Sequence, residues 1–159
     1  GASSGHVLTA NGSGGAVFQA LPSAVAFGED FTSVETTTFQ SSSTANSFVQ
    51  ALRLNLSVTN GGDFLVMWHY VWSHNDTGND FRGRVQLDDT TELLVPEHRQ
   101  EPQDAGGSGD GGTDQRYTSS GFAVVNLTAG AHTVDFDYTP SANDESGVHS
   151  ARICAFRVS

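Results

Sequence analysis

The chain has 159 residues and a formal net charge of −11, with 18 Asp and Glu against seven cations, all of them arginine. The length suits one domain with a substantial core, and the acidity repels phosphate backbones, which excludes nucleic acid as the main partner. No run approaches the roughly 20 apolar residues of a membrane helix, so no membrane insertion is expected, and a single cysteine, Cys154, precludes an internal disulfide.

Residues 1–24 read as an extended Gly/Ser-rich leader or arm, with a short apolar segment at 16–21 closed by Pro22. The leader lacks the basic and apolar regions of a signal peptide and an initiator Met, so a chain processed, or trimmed from something longer, is expected. Residues 25–159 read as one β domain.

Residues 35–40 are Thr-rich and suit an edge strand. Over 48–58, Phe48, Gln50, Leu52, Leu54, Leu56 and Val58 alternate with Val49, Ala51, Arg53, Asn55 and Ser57, the period of a half-buried strand. Asn60, Gly61, Gly62 and Asp63 predict a hairpin turn. Residues 64–72 are apolar in both rows, Phe64, Val66, Trp68, Tyr70 and Trp72 against Leu65, Met67, His69 and Val71. Such a strand is expected mid-sheet and covered on both sides.

Residues 74–80 read as a polar turn. In 81–87, Arg82 and Arg84 oppose Phe81, Val85 and Leu87, and a further strand is expected near 92–95. Residues 97–115, with GGSGDGG, are too polar and permissive for a strand. Another strand begins near Arg116 with its apolar core at 122–127, followed by a tight turn at 128–131. Then come 132–138, with Asp135 and Asp137 outward, and a last strand at 148–158 holding Cys154 as a small buried hydrophobe. About eight strands, no helix and turns every 8–12 residues or so predict an antiparallel β-sandwich or jelly roll.

Catalytic and metal chemistry finds little footing. His6, His69, His74, His98, His132 and His149 form no H-x-x-x-H or H-x-H pair. Asn75, Asp76, Asn79 and Asp80, and Asp104, Asp110 and Asp114, are calcium-type oxygen donors but miss the spacing of known calcium loops. No metal and no cofactor are expected. Asp88 and Asp89, which would point to opposite faces if the strand continues that far, and Asp135 and Asp137, on the outward face of a strand, read as solvated-face charges rather than the acid pair of a glycosidase. There is no G-x-S-x-G elbow or P-loop, so no enzyme is expected. Four N-x-[ST] sequons, at Asn11, Asn55, Asn75 and Asn126, are what chance gives in a chain rich in Asn, Ser and Thr.

The leader GHVLTANGSGGAVFQALP resembles a segment of tailed-bacteriophage fibre proteins through Gly5, Val7, Leu8, Thr9, Asn11, Gly12 and Gly14, then Phe18, Gln19 and Pro22. The stretches LTAGAHTVDFDY and ARICAFRV are similar to jelly-roll domains of phage fibres, head fibres and capsid decoration proteins, and to the tumour-necrosis-factor class. The resemblance implies a virion protein, a homotrimer contacting other virion proteins, with a fibre or spike domain recognising a host-surface glycan or protein. Capsid decoration is the alternative, and a carbohydrate-binding module a third reading.

On this reading the binding residues are expected on polar loops: His74, Asp76, Asp80, Arg99, Arg116 and Tyr117. Val7, Leu8, Phe18 and Leu21 of the leader, with Trp68, Tyr70 and Trp72 of the doubly apolar strand, are the expected assembly residues. An aromatic row filling a large core is the other reading of the last three.

Overall fold

The computed structural model describes residues 6–10, 12–20, 30–76, 78–94, 98–100 and 115–159. Among these every regular element is a strand: β1 (His6–Ala10), β2 (Ala16–Ala20), β3 (Thr32–Thr36), β4 (Gln40–Ser42), β5 (Val49–Val58), β6 (Gly62–His74), β7 (Phe81–Leu87), β8 (Thr91–Glu92), β9 (His98–Gln100), β10 (Tyr117–Leu127), β11 (Gly130–Pro140) and β12 (Ser146–Arg157).

β1 and β2 pair as an antiparallel hairpin in the leader, with Leu8 opposite Phe18. The other strands form two antiparallel sheets. The first runs β10-β6-β12-β3, with β4 also on β12, and the second runs β5-β11-β7-β8, with β9 also on β7. β3 and β4 follow one another along the same edge of β12, and β8 and β9 share one edge of β7 in the same way. Each sheet therefore has four strand positions, eight in all, as the turn spacing predicts for a sandwich.

The inward rows of the two sheets meet in one core. β5 contributes Leu52, Leu54, Leu56 and Val58, β6 contributes Phe64, Val66, Trp68, Tyr70 and Trp72, and Phe81, Val85, Val134, Phe136, Tyr138 and Ile153 complete its centre. Aromatic stacking organises one end: Trp72 lies between Phe81 and Tyr117, with ring centroids 4.7 and 4.6 Å away, and Tyr70 stacks on Phe136 at 4.1 Å. At the other end Arg157 is buried beneath Asp30 and hydrogen-bonds the carbonyls of Gly61 and Asn60, so its charge is satisfied.

Some expectations change. Residues 60–63 do not close a hairpin, because β5 and β6 lie in different sheets; the turn carries the chain across the sandwich. Alternation in β5 breaks at Ala51, where the register with β11 skips a residue between Phe136 and Asp137. Ala51 and Leu52 are consequently both buried, as a bulge allows. Asp88 and Asp89 are not strand residues but adjacent positive-φ residues (52° and 56°) of a tight turn in which Thr90 N–H donates to the Leu87 carbonyl. Aspartate tolerates that left-handed geometry.

Candidate interaction face

The residues expected to bind are dispersed. His74 does not begin an exposed turn: β6 continues through it and its side chain is buried. Its Nδ1 pairs with Ser146 Oγ at 2.9 Å, and its enclosed Nε2 has no hydrogen-bond partner. Burial pushes its pKa down, against the opposing pull of Asp144, Asp76 and Asp80. Asp76 accepts from Gly78 N–H and from the Asn79 amide, which also reaches Asp144, and Asp80 N–H donates to Ser141 Oγ. These loops brace each other.

Arg99 lies exposed in β9, and Arg116 is exposed just before β10. Tyr117 is half-buried against Trp72, and its hydroxyl donates to Gln115. Most of the loop expected to join Arg99 to Arg116 lies outside the described residues. No group of three or more His, Cys, Asp or Glu among the described residues could hold a metal ion.

Of the expected assembly residues, Trp68, Tyr70 and Trp72 are buried in the chain's own core and present no surface to another chain. Val7 and Leu8 lie in β1, Leu21 is outside the described residues, and Phe18 is exposed.

Asp135 and Asp137 do point away from the core, yet both are buried. Arginines cover them: Arg53 holds Asp135 together with Asp89, and Arg84 holds Asp137 at 2.8 Å while lying over the Phe48 ring. This outward face of the second sheet is a charged, internally paired layer.

The outward face of the first sheet is different in kind. The register of β10, β6, β12 and β3 lines up cross-strand rows: Val124, Leu65 and Phe156; then Phe122, Met67, Cys154 and Ser33; then Ser120, His69, Arg152 and Glu35. The first two rows carry no charge, and the third carries the paired Arg152 and Glu35. Phe122 is 71% exposed, Val124 61% and Met67 42%. β6 is mid-sheet as expected, but only its Trp68 row is covered. A depression of about 470 Å³ opens here, lined by Met67, His69, Phe122, Arg152 and Cys154 among others. Contiguous exposed apolar surface of this kind marks interaction sites.

The sequence held the signal for this face in the second apolar row of 64–72 and in the unbroken apolar run at 122–125. Reading 122–127 as core hid it, because Phe122 and Val124 point outward while Ala123 and Val125 pack inward.

No protein-family model matches the chain, and no curated protein matches it. Solved structures similar in fold include dimeric latent PorU from Porphyromonas gingivalis, at TM-score 0.53 and 7% identity over 82% of this chain and 13% of that one. The chain thus corresponds to a small part of that protein. Eiger TNF from S. frugiperda follows at TM-score 0.47 and 11% identity, over 82% of this chain and 94% of that chain. The VP2 subviral particle of infectious bursal disease virus is similar at TM-score 0.46 and 8% identity, over 95% and 41%. At such identities the likeness is one of fold alone, and the all-β sandwich is what the strand order itself shows.

Proposed function

We propose that this chain is a structural, non-catalytic component of a virion, a trimeric fibre or spike domain that assembles through the outward face of its first sheet. One observation carries the reading. A chain of net charge −11 leaves two adjacent rows of one sheet uncharged, apolar and open. Identical acidic chains repel one another, and a neutral apolar face is where they approach at least electrostatic cost. The phage-like leader supports the virion setting, and recognition of a host-surface glycan or protein is assigned to the polar loops.

Sedimentation velocity on the full chain tests the assembly. A three-chain mass is expected, reduced to one chain by Phe122→Asp with the β-sheet circular dichroism retained. A monomer at all accessible concentrations would overturn the reading.

A further inference from the structure

The leader hairpin has the same deficiency as the sheet face. Val17 and Phe18 are neighbours on β2, so they point to opposite sides of the hairpin, yet they are 41% and 57% exposed. Neither side chain is covered, and an isolated two-stranded hairpin is marginal in water without a further strand or a packing partner.

Charge links the two surfaces. All 18 acidic residues and all seven arginines follow residue 28, so the leader carries no charged side chain. The apolar rows of the first sheet carry none either. Phe18 on the hairpin and Phe122 on the sheet are exposed at the same time. β10 is also an edge strand, and its eleven residues include no charge and no proline to discourage pairing.

We propose that the β1–β2 hairpin of one chain lies across the outward face of the β10-β6-β12 sheet of a second copy, with Phe18 seated in the depression beside Met67, Phe122 and Cys154. The inference rests on the assembly reading above and names what each subunit delivers. The contact is heterologous, the hairpin of one copy on the sheet of the next, and such contacts close into rings when the rotation permits. A ring of three satisfies every hairpin and every face.

The native thiol supplies the test. Cys154 lines the depression and is the chain's one cysteine, so Phe18→Cys in the full chain creates a pair that diamide can oxidise to a disulfide. Covalent dimers and trimers on a non-reducing gel are expected, absent from the parent chain and abolished by adding Cys154→Ser. Phe18→Asp is expected to weaken self-association at least tenfold, as Phe122→Asp does. A disulfide formed only within one chain, seen as a faster monomer band, would overturn the proposal by placing the hairpin on its own sheet. Dissociation by Phe122→Asp with no effect of Phe18→Asp and no cross-link would also overturn it while leaving assembly through the sheet face intact. A full chain that is monomeric throughout would remove both.

Discussion

Gly121 on β10 and Trp68 on β6 are direct cross-strand partners, and the indole occupies the space a side chain at 121 would need. A Cβ built there would lie 2.6 Å from Trp68 Cζ2. Trp68 is buried in the core, so it cannot swing away without opening a cavity. Gly121→Ala is therefore expected to lower stability by about 1–3 kcal/mol through overpacking, read as a lower urea midpoint with an unchanged slope. A neutral result would show that the indole relocates.

Arg84 is the partner of a buried carboxylate. Its guanidinium holds Asp137 and lies 4.1 Å from the Phe48 ring centroid. Arg84→Ala leaves Asp137 enclosed without that donor, an expected loss of about 1–3 kcal/mol. In a double-mutant cycle with Asp137→Ala, the combined loss should fall short of the two single losses added. Simple additivity would mean the pair does not interact.

Tyr70 and His98 join the core to the edge of the second sheet. Burial holds the Tyr70 hydroxyl protonated far above its usual range and pushes His98 below the usual imidazole value, and the phenol shares a hydrogen bond with His98 Nδ1 at 2.8 Å. Tyr70→Phe removes that hydrogen bond while leaving the stack on Phe136. The expected loss is about 0.5–1.5 kcal/mol, with hydrogen exchange accelerated in β9, which pairs with β7. Unchanged exchange there would refute the tether.

Stability should depend on pH through His132. Its Nδ1 faces Asp88 Oδ2 at 2.8 Å and its Nε2 faces the Thr128 carbonyl at 3.0 Å. Two acceptors favour the doubly protonated ring, and the hydrogen bond to Asp88 holds the pKa above the ordinary value despite partial burial. A raised folded-state pKa stabilises fully below the unfolded value of about 6.5 and loses that contribution as pH rises through the folded value. His132→Gln should therefore reduce stability more at about pH 5 than at about pH 8. The opposite ordering would exclude the ion pair. His74 has the reverse sign, because burial lowers its pKa: its contribution is present above the unfolded value and lost as pH falls through the folded one.

Much of this protein is written in local pattern. The alternation of Leu52, Leu54, Leu56 and Val58, and of Val134, Phe136 and Tyr138, placed those rows in the core, since a pleated strand sends successive side chains to opposite faces. The all-strand character and the eight strand positions of the two sheets among the described residues came from the same period and from turn residues. Pattern also placed Asp135 and Asp137 on the outward face, but not the arginines that bury them, because Arg53 and Arg84 come from other strands.

What the sequence by itself determined was the long strands of the two sheets, most of their inward rows, and a charge-free leader in a strongly acidic chain, whereas the leader hairpin and the short strand at 98–100 were not read from it. Which apolar rows stay uncovered was decided only when the sheets packed. A two-layer sandwich hides one face of each sheet, and local periodicity records that a row is apolar without recording what lies across from it. Trp68, Tyr70 and Trp72 found the second sheet opposite them, whereas Met67, Phe122 and Val124 found none. That asymmetry, set by contacts between residues far apart in the chain, is what leaves one face of the sandwich apolar and open.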